Sequence, residues 1–212
     1  MRVVLCVAVI AAGCGSRDPE PPTAPMKLDL DQVSRVTDEA LARLDARTTA
    51  ALVPTAGSAR PLGIGVPREL PYSRGRTFSV PITLTPATLR VPTELGLSFQ
   101  VTRDDAGALA VTAPAREDLV TATRLALAGE DRALAVAAKA LDDAGVVRPA
   151  PDWQTALRGI RLDPRLPAAN LPGDPSWSVF FDPYDEATGG ATFVLIDAPT
   201  FAVQRVQGGR RR

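Results

Sequence analysis

Few residues in this chain are able to do chemistry. It carries 24 acidic and 24 basic residues, two cysteines and no histidine. Without histidine, the commonest general base, the usual nucleophile–imidazole pairs and the commonest metal ligand are all missing. Zinc sites of the ordinary Cys/His kinds go with them. The acids fall as sequence neighbours, Asp104-Asp105 and Asp142-Asp143, or as a loop cluster, Asp182, Asp185 and Glu186. Hydrolysis by carboxylates needs two acids facing each other across a substrate, about 5–10 Å apart. Neighbours in sequence do not supply that. The loop cluster lacks the alternating ligands and obligatory glycine of a calcium loop, so it reads as a solvated hairpin loop. Gly96-Leu97-Ser98-Phe99 lacks the second glycine of a nucleophile elbow, and no histidine exists to activate Ser98. Gly189-Gly190 and Gly63-Ile64-Gly65 lack the Lys-Ser/Thr of a phosphate loop. The sequence therefore names no catalytic residue, no metal ligand and no cofactor. Balanced charge offers nothing to nucleic acid.

One residue does have a nameable chemical fate, and it is Cys14. Arg2 is followed by an uncharged, mostly aliphatic run over residues 3–12, then Gly13 and Cys14. A bilayer-spanning helix needs about 20 apolar residues. The run is too short to span and ends in small residues, so residues 1–13 read as a signal peptide. The tetrad Ala11-Ala12-Gly13-Cys14 resembles the lipobox of bacterial lipoproteins, with Ala11 where that family most often has Leu. The resemblance implies cleavage before Cys14, a diacylglyceryl group on its thiol and an acylated new N-terminus. Two or three chains on one residue exceed what a single chain needs for stable anchoring. In some bacteria an Asp directly after the lipidated Cys retains the protein at the inner membrane; Gly15 implies the outer membrane instead. Cys6 leaves with the signal, so Cys14 has no disulfide partner and the body must be held by packing.

The rest of the chain must be organised behind that anchor. Residues 14–27 are polar, with Pro19, Pro21, Pro22 and Pro25, and read as a semi-rigid tether. Roughly 200 residues remain after cleavage, enough for one large or two small domains with real cores. The spacing of Leu30, Val33, Val36, Ala40, Leu41 and Leu44 predicts a helix over 28–52. Period-two alternation follows in Phe78-Ser79-Val80-Pro81-Ile82-Thr83-Leu84 and in Leu97, Phe99 and Val101. Pro81 places its strand at an edge or a bulge. Asp104-Asp105-Ala106-Gly107 turns the chain toward Leu109 and Val111. Residues 28–113 thus read as a helix plus antiparallel strands.

Residues 114–212 read as a helical segment plus a C-terminal antiparallel sheet. Gly129 is expected to divide the helical segment, Leu134, Ala137, Ala138 and Leu141 form its firmer stripe, and Gly145 stops it. Residues 119–127 also alternate tolerably as a strand. Trp177, Val179 and Phe181 mark a strand. The continuous apolar run Phe193-Val194-Leu195-Ile196 predicts a central strand covered on both faces. The whole is an α+β chain: helices packed on antiparallel sheet, in one body or two small units.

From Trp177-Ser178-Val179-Phe180-Phe181 through Phe193-Val194-Leu195-Ile196-Asp197-Ala198 to Val203, the C-terminal half resembles PepSY-type and cystatin-like or NTF2-like periplasmic modules. Asp197-Ala198 and Thr200 match the final PepSY hairpin, whereas Phe201 stands where that hairpin has its turn glycine. This likeness implies a helix on a curved antiparallel sheet and a binding or inhibitory role rather than chemistry. Of the aromatics, Trp153, Trp177, Tyr72 and Tyr184 are the candidates to line a groove. Trp177 lies within an apolar strand and reads as core, and Tyr184, in a polar loop, is the best candidate surface contact. The expected function is a lipid-anchored cell-envelope protein that binds or scaffolds, with the membrane and an envelope protein as partners. The alternative is a carboxylate-dependent hydrolase of envelope polymers, which two acids brought together in a pocket would favour.

Overall fold

The computed structural model describes residues 30–52, 60–73, 76–164, 175–182 and 192–208, with the side chains of 45–52 left out. Two helices, α1 (Leu30–Leu52) and α2 (Arg116–Asp143), accompany nine strands. These are β1 (Leu62–Ile64), β2 (Arg68–Glu69), β3 (Thr77–Leu84), β4 (Thr93–Arg103), β5 (Leu109–Thr112), β6 (Leu157–Asp163), β7 (Ser176–Phe181), β8 (Thr192–Asp197) and β9 (Val203–Gln207). The fold class is α+β. One continuous sheet runs in the order β1-β3-β4-β6-β7-β8-β9, with β2 also on β3 and β5 also on β4. Every pairing is antiparallel except one. Thr93 and Glu94 of β4 lie parallel to Ile160 and Arg161 of β6, and this short parallel step joins the two antiparallel halves.

Alternation decides the faces. Leu95, Leu97, Phe99 and Val101 of β4, Ile160 and Leu162 of β6, Trp177, Val179 and Phe181 of β7, and Val194 and Ile196 of β8 are all buried beneath the helices. The intervening positions are half-buried or exposed and carry Glu94, Ser98, Gln100, Arg161, Asp163, Ser178 and Phe180. On that outer face Glu94 accepts from Arg161 at 2.9 Å and from Arg68 at 3.1 Å, and Arg161 also donates to Asp163 at 2.6 Å. Such exposed pairs tie β2, β4 and β6 in register but contribute only about 0–1 kcal/mol each.

Helix α2 is unbroken over 28 residues, so Gly129 does not divide it and residues 119–127 are helical rather than extended. The reason lies in what faces the sheet. Leu119, Ala122, Ala126, Gly129, Ala133, Ala137 and Leu141 are buried, and their small side chains bring the helix axis close to the strands. A Cβ at position 129 would lie 2.9 Å from Trp177 Cζ2 and 3.2 Å from Phe201 Cζ. The glycine is the seat for those two rings, which offsets the ~1 kcal/mol that glycine costs in a helix interior. The helix ends as its sequence indicates. Gly145 has φ 69°, its N–H donates to the Asp142 carbonyl, and the Val146 N–H donates to the Leu141 carbonyl. Those two bonds make a Schellman cap, completed by burial of Leu141 and Val146.

One strand expectation is met by the second of its alternatives and one changes. Pro81 lies in the interior strand β3 rather than at an edge, and the register shifts beside it: Pro81 faces Ser98, whereas Thr83 faces Glu94. Residues 95–97 of β4 therefore stand opposite Ile82 alone, a bulge that spares the ladder the N–H proline lacks. Among the described residues strand β8 is covered on one face only. Val194 and Ile196 are fully buried, but Phe193 and Leu195 are half-exposed on the outer face, beside Phe180 and Arg205. Its continuous apolarity gives the sheet a partly apolar outer face, with no second layer over it among the described residues.

Candidate functional site

The parallel step has a consequence for the surface. Because β4 and β6 start side by side, the connections that lead into them, residues 85–92 and 147–156, lie together at one end of the sheet. Gln154 Nε2 donates to the Thr88 carbonyl at 3.0 Å, and Arg90 Nη1 donates to the Thr155 carbonyl at 3.1 Å. Between these joined loops and the flank of α2 is an open groove of about 520 Å³. Its lining comes from three places: Thr88 and Leu89; Asp131, Leu134, Ala135 and Ala138; Arg148, Asp152, Trp153 and Gln154. The four α2 residues fall on one helix face. Two alanines among them leave the room that larger side chains would fill.

Trp153 is the floor. It is buried, its ring meets Phe181 edge-on at 5.1 Å and 66°, and its Nε1–H donates to Asp142 Oδ1 at 2.9 Å. Arg148 Nη2 donates to both oxygens of Asp142, at 2.8 and 2.9 Å, while its guanidinium carbon sits 5.5 Å from the Trp153 ring centroid. Arg148 Nη1 reaches the Pro151 carbonyl at 3.2 Å. The last turn of α2 and the loop beyond it are thus locked through one carboxylate. The Arg148 hydrogen bonds, then that of Trp153, hold the Asp142 carboxyl below its ordinary value. Asp152 is also held low, by the Thr155 backbone N–H at 2.6 Å first and then by the Thr155 hydroxyl.

A pH dependence follows for Asp142. A carboxylate with a lowered folded-state value stabilises the fold above its unfolded value and loses that contribution as the pH falls through the folded one. The ordinary value lies near pH 4, and the pair is half-exposed, so its contribution stays at or below about 1 kcal/mol. Asp142→Asn is expected to be less stable than wild type in urea at pH 7, with the gap narrowing by about pH 3. A gap of constant size across that range would show that the Asp142 charge does not hold the loop.

The acids singled out in the sequence go separate ways. Asp142 holds Arg148 and Trp153, whereas Asp143 pairs with Lys139 on the exposed helix flank. Asp104 Oδ1 accepts the Ala108 N–H to shape the β4–β5 turn, and Asp105 pairs with Arg76. Asp182 pairs with Arg158, while Asp185 and Glu186 lie outside the described residues. Ser98 accepts from Gln100 at 3.1 Å on the outer sheet face. Among the described residues no three His, Cys, Asp or Glu side chains form a metal-binding group, and no helix is long and apolar enough to cross a membrane.

Of the aromatic candidates, Trp153 lines the groove and Trp177 is core, only 1% exposed. Tyr72 is fully exposed at a turn tip with φ 65°. Cys14 and Tyr184 lie outside the described residues. The acids that do share a pocket, Asp131 and Asp152, were not singled out by sequence, nor were Thr88, Arg148 and Gln154. The available signal was Asp152-Trp153-Gln154 between Pro151 and the start of β6, an aromatic flanked by polar residues in a proline-bounded loop. Neither protein-family models, nor curated proteins, nor solved structures give a match to this chain.

Proposed function

We propose that this chain is a lipid-anchored cell-envelope protein that acts by binding, with the groove beside α2 as its binding site. The observation that carries the binding half is the composition of the groove. It joins an apolar floor of Leu89, Leu134, Ala138 and Trp153 to a polar rim, in a volume of about 520 Å³ that suits a small ligand or a few side chains. The anchoring half is supported by Arg2, the aliphatic run and Ala11-Ala12-Gly13-Cys14. The proline-dense residues 14–27, at ~3.1 Å each, give a tether of a few tens of ångströms between lipid and body. The outer membrane is the favoured address, because Gly15 is not the Asp that marks inner-membrane retention.

Asp131 and Asp152 in one groove are what a hydrolase reading would need. That reading also needs a carboxyl kept protonated by an apolar pocket, to serve as general acid. Both acids are solvent-exposed, and Asp152 is pushed the other way, toward the ionised form. Their environment suits recognition better than proton donation.

The anchor is tested by feeding bacteria that express the chain an alkyne-bearing palmitate. Wild type is expected to take up the label and fractionate with membranes, whereas Cys14→Ser takes up none and keeps its signal peptide. A Cys14→Ser chain that is still processed and labelled would overturn the anchoring reading. For the groove, Ala135→Leu is expected to remove the envelope partners that crosslink to wild type in intact cells.

A further inference from the structure

The polar rim of the groove is unbalanced in charge. Arg148, its one basic lining residue, is committed to Asp142 and the Pro151 carbonyl. Asp131 uses Oδ1 to accept the Thr88 hydroxyl at 2.7 Å, and Asp152 accepts the Thr155 N–H on Oδ1 together with the Thr155 hydroxyl and the Gln154 N–H. Among the described residues neither acid has a cation within ion-pair distance. Both are exposed at the edge of the apolar floor. Arg148 is close enough to Asp152 to favour its ionised form, yet the described lining carries two acids against that one arginine, which Asp142 already holds. Negative charge is thus in excess next to apolar surface, which is the complement of a long alkyl stem ending in an ammonium.

We propose that the groove takes a lysine side chain presented by a peptide segment of a partner protein. The methylene stem lies on Leu89, Leu134, Ala138 and Trp153, and the ammonium meets the Asp131 and Asp152 rim. A compact ammonium with three donors on a flexible stem can meet either carboxylate of this rim while its methylenes stay on the apolar floor. This inference rests on the binding reading above and names its ligand chemistry.

The test uses the full-length chain in non-ionic detergent and calorimetric titration with an acetylated, amidated glycine peptide carrying one central lysine. The lysine peptide is expected to bind, and the same peptide with norleucine to bind at least about tenfold more weakly, a loss of about 1.4 kcal/mol. Raising the salt is expected to weaken the lysine complex. The double variant Asp131→Asn, Asp152→Asn keeps the amide oxygens that hold Thr88 and Thr155, and is expected to lose the preference for lysine. Ala135→Leu, on the exposed helix flank, is expected to lose binding of both peptides by filling the groove. No lysine binding by a chain that melts cooperatively, or equal binding of norleucine, would overturn the assignment. So would equal or tighter binding of cadaverine, since the site would then read free amines rather than a peptide. If the lysine peptide fails while Ala135→Leu still removes crosslinked partners, the groove remains the binding site and only the lysine assignment falls. If Ala135→Leu keeps every partner, the binding reading itself falls.

Discussion

Gly96→Ala is expected to destabilise the fold by about 3 kcal/mol or more, lowering the melting temperature by roughly 10 °C. Two costs add at this position. Gly96 has φ 63°, a left-handed conformation that costs an L-residue about 1–2 kcal/mol. It also sits within the β4 bulge where β6 crosses. A Cβ there would press on the Leu162 carbonyl and stand 2.7 Å from Pro164 Cδ. The carbonyl is backbone and the Pro164 ring is rigid, so relief means moving β6 away from β4, at the parallel step that joins the two halves of the sheet. Gly145→Ala separates the two costs. Gly145 has φ 69°, but nothing lies within 4 Å of its missing Cβ. It should therefore cost only the backbone term, about 1–2 kcal/mol. Urea denaturation of both variants measures the difference. Equal losses would mean that the β4–β6 crossing has room to spare.

That junction also marks where reading the sequence stops. The periods were legible: Val33 and Leu41 on one side of α1, Phe78, Val80 and Ile82 in β3, Trp177, Val179 and Phe181 in β7. Each records a local choice between core and solvent, so a few neighbouring residues suffice to see it. The caps were legible too, because Gly145 is chosen for a conformation only glycine takes freely. The pairing of Thr93 with Ile160 was not, since it depends on the β4–β5 hairpin, α2 and their connections folding between them. The groove inherits that blindness, as its loops meet only because that pairing exists. Gly129 misled for a related reason. Locally it looks like a helix break, yet its purpose is to admit Trp177 of β7 and Phe201 of the β8–β9 turn, both far along the chain. Phe201 is the converse case. It occupies a left-handed turn position, φ 59°, where a glycine is cheaper. Its ring is held against Gly129 and under the Arg132 guanidinium, 4.2 Å from the centroid. Packing and a cation–π contact outweigh about 1–2 kcal/mol of backbone preference.

Glu130 is the other position where a single change should be felt throughout. It points from α2 toward the sheet, is only 4% exposed, and pairs with Arg60, itself 10% exposed. Its Oε2 accepts the Thr93 hydroxyl at 2.6 Å. Helix, β4 and the segment leading into β1 are therefore tied at one carboxylate. Arg60 Nη1 has no other acceptor among the described residues. Removing Glu130 would strand that charge in the interior, and breaking a buried pair this way costs about 3–5 kcal/mol. Glu130→Ala is expected to lose that much in urea denaturation, against about 0.2–1 kcal/mol for Asp143→Ala, whose pair with Lys139 is exposed. Glu130→Gln should fall between, keeping an acceptor for Thr93 but not the charge. The decisive comparison is Arg60→Met with Glu130→Met. If the loss in Glu130→Ala comes from an abandoned charge, removing both partners together restores most of the stability, because an apolar pair of similar volume replaces an ion pair whose desolvation largely cancelled its attraction. If the double variant is as unstable as Glu130→Ala, the pair is instead needed to orient α2 over β4. The groove built on the next residue, Asp131, should then be lost with it.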